Sequence, residues 1–251
     1  MRPSVVIDCF PASVSKYVDE YAIVAIDVIR ATTSAMTAVL AGRRCFPAPT
    51  LEDALQLRRR LGDALLAGEL NGDVPAGFDL NNSPAQLAEL EEGEAPIVLL
   101  STSGTQLICR AAGHEGAYIA SLRNYQAVAA AIIGRHEKVA VIGAGSRNEF
   151  REEDQMCCAW IADDLIKAGY RAENDATVEI VKRWRGVSPE ACLVSNSVKY
   201  LRRTGQLADL DFILSHINDV NSAFILSAGE VRRMETTDLM DEAEQYGQVA
   251  A

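Results

Sequence analysis

The chain has 251 residues, 49% of them hydrophobic and 24% charged, with a formal net charge of -11. That length and balance suit a globular protein of one large α/β unit or two small ones, and the negative charge opposes non-specific binding to nucleic acid or an anionic membrane surface. No apolar run approaches the roughly 18 residues that span a bilayer, and the opening MRPSVVIDCF is interrupted by Asp8 and is not a secretory leader, so the expected location is the cytoplasm.

Taken in order, short apolar runs alternate with helical patterns, as in βαβ units. A strand is predicted over Ser4–Ile7 and a second over Ala22–Ile26, whose continuous β-branched run suits burial on both faces of a parallel sheet. The second strand ends at Asp27 and leads into a helix over Ala31–Leu40, with Thr32 or Thr33 as its capping hydroxyl. Arg44–Ala48 is a strand; Thr50 caps a helix over Leu51–Leu61, with Asp53 in the capping-box position. Ala64–Gly68 is a strand ending at Glu69, and Asn71–Asn82, which holds Gly72, Pro75 and Gly77, is a loop. A helix resumes after Ser83 with Pro84 in its first turn.

Ile97–Leu100 runs into the cluster Ser101, Thr102, Ser103, Gly104 and Thr105, which opens a helix through Ala112. Tyr118–Ala120 is a strand, Asn124 caps a helix to Ile133, and Lys138–Ile142 is a strand followed by a loop over Gly143–Phe150. An acidic-first amphipathic helix runs from Arg151 to near Gly169. Thr177–Val181, a helix over Pro189–Arg203 and a strand over Phe212–Leu214 follow with less regular patterning, and Asp238–Glu244 reads as a solvated acidic tail without chemistry.

In an open α/β sheet, ligands bind beyond the carboxyl ends of the strands. Asp27 and Arg30 fall there, a carboxylate for a cation and a guanidinium for an oxyanion, which together suggest a metal-assisted phosphate site. Arg30 has a second reading, as a plain ion-pair partner of Asp27. Glu69 and Asp79 also follow strand ends, and Glu152, Glu153 and Asp154 crowd the first turn of a helix. Such hard oxygen ligands suit Mg²⁺, although acids at a helix N-terminus also satisfy its dipole. Hydroxyls and N–H groups over Ser101–Thr105 offer an anion cradle, or simply a cap.

Competing chemistries fit poorly. Six cysteines without CxxC spacing and three dispersed histidines read as reduced, buried side chains rather than a zinc site. KVAVIGAGSRN supplies Gly143 and Gly145, but Asn148 stands where a dinucleotide fold needs its third glycine. A nucleotide- or phosphate-binding module stays open on that motif. Ile29 excludes the D-x-D phosphatases, no cysteine is followed six residues later by arginine, and no G-x-S-x-G elbow occurs.

The blocks DVIRATTSAMTAVLAG, GELNGDVPAGFDLNNSP, STSGTQ, SLRNYQAVAAAI and VAVIGAGSRNEFREEDQMCCA resemble, in this order, the motifs of the 2-phosphosulfolactate phosphatase family, over residues 4 to 235 or so. Asn81 departs from a usual glycine, Ser103 from asparagine, and Cys158-Ala159 from Ala-Gly, all beside the charged positions. The resemblance implies an α/β fold, layered α/β/α around a mixed, largely parallel sheet, in one unit over residues 1–237 or in two subdomains, with a flexible acidic tail over 238–251. It implies a Mg²⁺-dependent phosphatase that converts (R)-2-phospho-3-sulfolactate to 3-sulfolactate and inorganic phosphate, a step of coenzyme M biosynthesis in methanogens, or the same chemistry on another small phosphorylated acid.

Under that reading Asp27, Glu69, Asp79 and one of Glu153 or Asp154 hold the metal, and Arg30 binds the phosphate. Thr32, Thr33, Ser101, Thr102, Ser103, Gly104, Thr105, Arg123, Asn124 and Arg147 contact the substrate, with Arg123 or Arg147 facing the sulfonate. The attacking group is either activated water or Asp27 itself. The partner is a small anionic phosphorylated molecule, neither nucleic acid nor membrane; the oligomeric state is not set, and a homo-oligomer is compatible with the sequence.

Overall fold

The computed structural model describes residues 2–17, 20–91, 93–114 and 116–234. The acidic tail expected over 238–251 lies outside them. In chain order the strands are β1 (Ser4–Cys9), β2 (Ala22–Ile26), β3 (Cys45–Ala48), β4 (Leu65–Gly68), β5 (Ile97–Leu100), β6 (Gly116–Ala120), β7 (Lys138–Gly143), β8 (Arg171–Ala172), β9 (Phe224–Ser227) and β10 (Glu230–Arg233). The helices are α1 (Ala31–Leu40), α2 (Leu51–Leu61), α3 (Pro84–Ala88), α4 (Gly104–Arg110), α5 (Tyr125–Ile132), α6 (Glu152–Lys167), α7 (Asp175–Trp184), α8 (Asn196–Arg203) and α9 (Leu207–Ser215), with 3₁₀ turns over Pro11–Lys16 and Pro189–Val194.

All ten strands share one sheet in the order β4-β5-β3-β10-β9-β6-β2-β7-β1-β8. The central strands are buried on both faces, and their side chains alternate between two cores. Val24, Ile26, Val139 and Val141 meet Val128 of α5 and Ile161 and Leu165 of α6 on one side. Ile23, Ala25, Ala140 and Ile142 meet Met36 of α1 and Leu107 and Ile108 of α4 on the other. The layered α/β/α arrangement follows, since every face of the sheet must be covered.

Two parallel blocks, β4-β5-β3 and β6-β2-β7-β1-β8, are joined by the antiparallel hairpin β9-β10. Each antiparallel step reverses direction, so the blocks run in opposite senses. The loops after β4 and β5 nonetheless meet the loop after β2 at one cavity, which a sheet twisting by roughly 20–25° per strand allows. Within the larger block the register pairs Ile26 with Ala120 and Gly143, placing Asp27 level with the ends of β6 and β7. Gly68 pairs with Leu100, which sets Glu69 beside Ser101.

Several local expectations change. The strand predicted over Phe212–Leu214 lies inside α9, where Leu210 and Ile213, three residues apart, are the buried apolar positions and give the segment a helical period. The helix predicted over Pro189–Arg203 is a 3₁₀ turn and α8, separated at Ser195, whose Oγ accepts from Val198 N at 3.2 Å and starts α8 afresh. Thr177–Val181 falls within α7, capped by Asn174. The hairpin β9-β10 had no counterpart among the expected strands; it turns through Ala228 and Gly229, both at positive φ, the conformation that tight hairpins need.

Neither Thr32 nor Thr33 caps α1. Thr32 Oγ1 accepts from Asp27 N at 3.0 Å and donates to Asp27 O at 2.8 Å, and Thr33 Oγ1 donates to Val28 O at 2.8 Å. Both hydroxyls tie the strand end to the helix. Asn124 likewise leaves the start of α5 uncapped and accepts from Ser121 N at 3.0 Å instead. Among the described residues no helix is long and apolar enough to cross a membrane.

Candidate active site

A cavity of about 590 Å³ opens where the loops after β2, β4, β5 and β7 converge, and α8 closes its remaining side. Asp27, Glu69 and Asp154 are among its acidic lining residues. Asp27 is 9% exposed and lies against the first residue of α4. A Cβ built on Gly104 would stand 2.1 Å from Asp27 Oδ2 and 2.5 Å from Ala31 Cβ, so the carboxylate occupies the space a side chain at 104 would need. Gly104→Ala is therefore expected to push Asp27 out of place, lowering kcat by about 100-fold and stability by about 1–3 kcal/mol, as steady-state kinetics and thermal unfolding would show.

Burial, and then the charge of Glu69, push the Asp27 carboxyl up to about 7, against an N–H donated by Ala31. Asp154 sits at the start of α6, where Oδ1 accepts from Val28 N at 2.9 Å and Oδ2 from Gly145 N at 3.3 Å. Its pKa is also raised, by burial first and by Asp27 and Glu153 next. Glu69 is a loop organiser: Oε1 accepts from Thr102 N at 2.8 Å, and Oε2 from Thr102 Oγ1 at 2.9 Å and Gly72 N at 2.7 Å. It thereby locks the loops after β4 and β5 together.

Arg30 does not pair with Asp27. It is 4% exposed, and its Nη1 reaches Asp209 Oδ2 of α9 at 2.5 Å and also donates to Gln206 Oε1, while Nη2 is 3.4 Å from Asn81 Oδ1. Asp209 Oδ1 accepts from Ser83 Oγ at 2.5 Å and from Ala85 N at 3.2 Å, holding the pair to the start of α3. Asn81, whose Nδ2 also donates to Gln206 Oε1 at 2.9 Å, thus belongs to the network that holds Arg30.

Of the expected site residues, Asp27, Arg30, Glu69, Thr102, Ser103, Arg147 and Asp154 line the cavity. Asp79 does not: its Oδ2 accepts from Leu66 N at 2.8 Å and faces Arg58 at 3.2 Å, because the loop after β4 turns that carboxylate back onto its own strand. Glu153 is buried outside the lining beside Ser195 and Ser197, with its pKa raised chiefly by burial. Ser101 and Thr105 satisfy one another, each N–H donating to the other's hydroxyl at 2.9 Å, and leave only Thr102 and Ser103 of the expected cradle facing the cavity. Arg123 is held away by Asp219 at 3.0 and 2.6 Å and by Thr37 at 2.9 Å. Asn124, Thr32 and Thr33 serve the backbone, as described above.

The structure adds residues that sequence reading missed: Arg151 ahead of α6, Ser146 in the preceding turn, and Asn196, Ser197, Lys199, Tyr200 and Arg203 of α8. Tyr200 Oη donates to Gly72 O at 2.5 Å and fastens α8 to the loop after β4. A cluster of Lys199, Arg202 and Arg203 in so acidic a chain was the available signal. Gly143 and Gly145 of the GAGSRN motif serve close packing: added Cβ atoms would lie 2.4 Å from the Phe150 ring and 2.8 Å from Cys9 Sγ, respectively.

A doubly covered α/β sheet with carboxylates and cations gathered at its strand ends defines an enzyme of the α/β class that handles a small anion. A family model described as 2-phosphosulpholactate phosphatase matches residues 9–226. The chain is 35% identical to a Symbiobacterium thermophilum protein over 196 residues, covering 77% of this chain and 78% of that one. Identity is 34% to a Synechococcus sp. (strain WH7803) protein, over 76% and 80% of the two chains, and 33% to one from Deinococcus radiodurans, over 74% and 80%. All three bear the name "Probable 2-phosphosulfolactate phosphatase". The chain belongs to the 2-phosphosulfolactate phosphatase family, whose members are phosphoric monoester hydrolases.

Proposed function

We propose that this protein is a Mg²⁺-dependent phosphatase that hydrolyses (R)-2-phospho-3-sulfolactate to 3-sulfolactate and inorganic phosphate. The observation that carries this reading is a single cavity lined both by the acids Asp27, Glu69 and Asp154 and by the cations Arg30, Arg147, Arg151, Lys199 and Arg203. A phosphorylated sulfonic acid needs both.

Among the described residues no three His, Cys, Asp or Glu side chains stand close enough to cage a metal by themselves. Mg²⁺ does not demand such a cage, since it commonly binds through one or two carboxylates, waters and substrate phosphate. Burial first, and then the charges of neighbouring acids, raise Asp27 and Asp154, and a cation beside them would favour their ionised forms. Asp27 and Asp154 would hold it directly or through water. When bound, Mg²⁺ supplies charge neutralisation and polarises the phosphoryl group.

Arg30, oriented by Asp209, binds the phosphate oxygens and stabilises the charge that builds on them. Asp27 orients a water molecule and accepts its proton as that water attacks phosphorus. The bond from phosphorus to the C2 oxygen breaks, and the departing oxygen takes a proton from solvent. The test is phosphate release from phosphosulfolactate. Turnover is expected to vanish in EDTA and to return with added Mg²⁺; turnover undiminished by EDTA would refute the metal. A second reading, the same chemistry on another small phosphorylated acid, is favoured by Asn81 and Ser103, which depart from the family pattern at the Arg30 network and the cavity wall. A substrate panel separates the two.

A further inference from the structure

We infer that Arg151, Lys199 and Arg203 form a separate anion subsite, which takes the acid group of the substrate farthest from the phosphate and selects phosphate esters that carry a sulfonate there. The inference rests on the phosphatase reading above and adds the residues that choose among its substrates.

Two independent features point to a ligand. Arg151 lines the cavity ahead of the 16-residue helix α6 yet is only 7% exposed, and its buried Nε has no hydrogen-bond partner. Its Nη1 donates to Glu149, a rim carboxylate that also accepts from Asn196 Nδ2 at 2.8 Å. A buried guanidinium N–H left unpaired costs stability, and the residue that carries it lines the cavity while Glu149 takes only Nη1. The second feature is α8. Lys199 and Arg203 stand four residues apart and both face the cavity, an arrangement in which like charges repel along a helix. Neither forms a salt bridge among the described residues: Lys199 Nζ donates to Asn196 Oδ1 at 3.3 Å, and the Arg203 guanidinium stacks 5.8 Å from the Tyr200 ring centroid.

The wall is also fixed in place. Val198 and Leu201 bury the inner face of α8, Ser195 caps it, and Tyr200 ties it to Gly72. Cations one turn apart on an anchored helix, lining the same cavity as a largely buried arginine, present a charge pattern complementary to an oxyanion. Asp209 and Gln206 hold Arg30, whereas no acid pairs with Lys199 or Arg203 among the described residues, which leaves these two cations for a second acid group.

The experiment compares wild type with Lys199→Ala, Arg203→Ala and the double variant. One readout is kcat and KM for phosphosulfolactate and for phenyl phosphate, an ester without a second acid. The other is the affinity for 3-sulfolactate by calorimetry, which needs no turnover. The double variant is expected to weaken 3-sulfolactate binding by about 10-fold or more. It is expected to lower the kcat/KM ratio of phosphosulfolactate to phenyl phosphate by a similar factor, with the loss in KM, and Lys199→Arg is expected to restore most of both. Equal losses on the two esters, or undiminished 3-sulfolactate affinity, would overturn the subsite. A wild-type protein that binds 3-sulfolactate through Lys199 but does not hydrolyse phosphosulfolactate would uphold the subsite and refute the substrate assignment. One that does neither would overturn both.

Discussion

Asp27→Asn is expected to lower kcat by about 10²–10⁴-fold, the range typical for loss of a positioned general base, and at the same time to raise the stability of the metal-free protein. Steady-state kinetics and thermal melts in EDTA check the two halves. The substitution keeps the shape of the side chain and removes a charge that the fold disfavours. The folded carboxyl titrates near 7, up from an ordinary value of 3.8, because burial and Glu69 oppose its ionised form. The native state therefore holds a proton that the unfolded chain has released across that window. Stability is full below about 4 and declines as pH rises through 7. A shift of this size corresponds to a few kcal/mol at most, on the order of 1.4 per pKa unit, so at pH 8 the variant is expected to melt several degrees above wild type in EDTA. Near pH 5 the difference should shrink. A variant no more stable than wild type at pH 8 would show that the fold tolerates the Asp27 charge without metal. A stability gain coupled to lost turnover is the ordinary consequence of removing a strained functional charge.

Asp209→Ala should destabilise the protein by about 3–5 kcal/mol in urea unfolding. Its side chain is 3% exposed and that of Arg30 is 4% exposed, so losing the carboxylate strands a guanidinium away from solvent. Gln206 and Asn81 would remain as neutral acceptors, which cannot compensate a charge. Ser83 Oγ and Ala85 N would lose their shared acceptor as well. Asp209→Asn, which keeps part of that hydrogen bonding, is expected to cost less. A loss under about 1 kcal/mol for the alanine variant would mean that solvent enters the Arg30 pocket freely.

Legibility of the fold followed the strength of local pattern. The strands Ala22–Ile26 and Ile97–Leu100 and the helices Ala31–Leu40 and Leu51–Leu61 have the boundaries read from sequence, since continuous apolar runs and a capping threonine are local signals. Thr50 accepts from Asp53 N at 3.1 Å, as a cap should. Past Gly169 local pattern weakens. Phe212–Leu214 has β-branched and aromatic character but is packed as a helix, because Leu210 and Ile213 meet core residues three apart. Tertiary packing overrides propensity there.

Site residues divide by whether their role is set within one segment. Asp27 was readable from its place at a strand end, whereas Glu153 and Asp154 were equivalent in the first turn of a helix and only packing put Asp154 rather than Glu153 at the cavity. Asp79 has the same sequence signature as Glu69, an acid shortly after a strand, yet its carboxylate turns back to Leu66 N while Glu69 binds the next loop. Arg123 and Arg147 were equally plausible anion ligands. Asp219, 96 residues away in sequence, claims the first and leaves the second at the cavity.

Local sequence was enough to specify that strands end in acids, that a guanidinium and a cluster of hydroxyls open the following helices, and that the chain alternates β and α, because these depend on composition and period over a few residues. Which of those groups meet was settled by packing in three dimensions. A hairpin late in the chain reverses one block of the sheet, whose loops after β4 and β5 line the same cavity as Asp27; α9 brings Asp209 to Arg30, and α8 brings Lys199 and Arg203 to that cavity. Such contacts between distant segments depend on how faces pack and where charges find partners, and no local period encodes them.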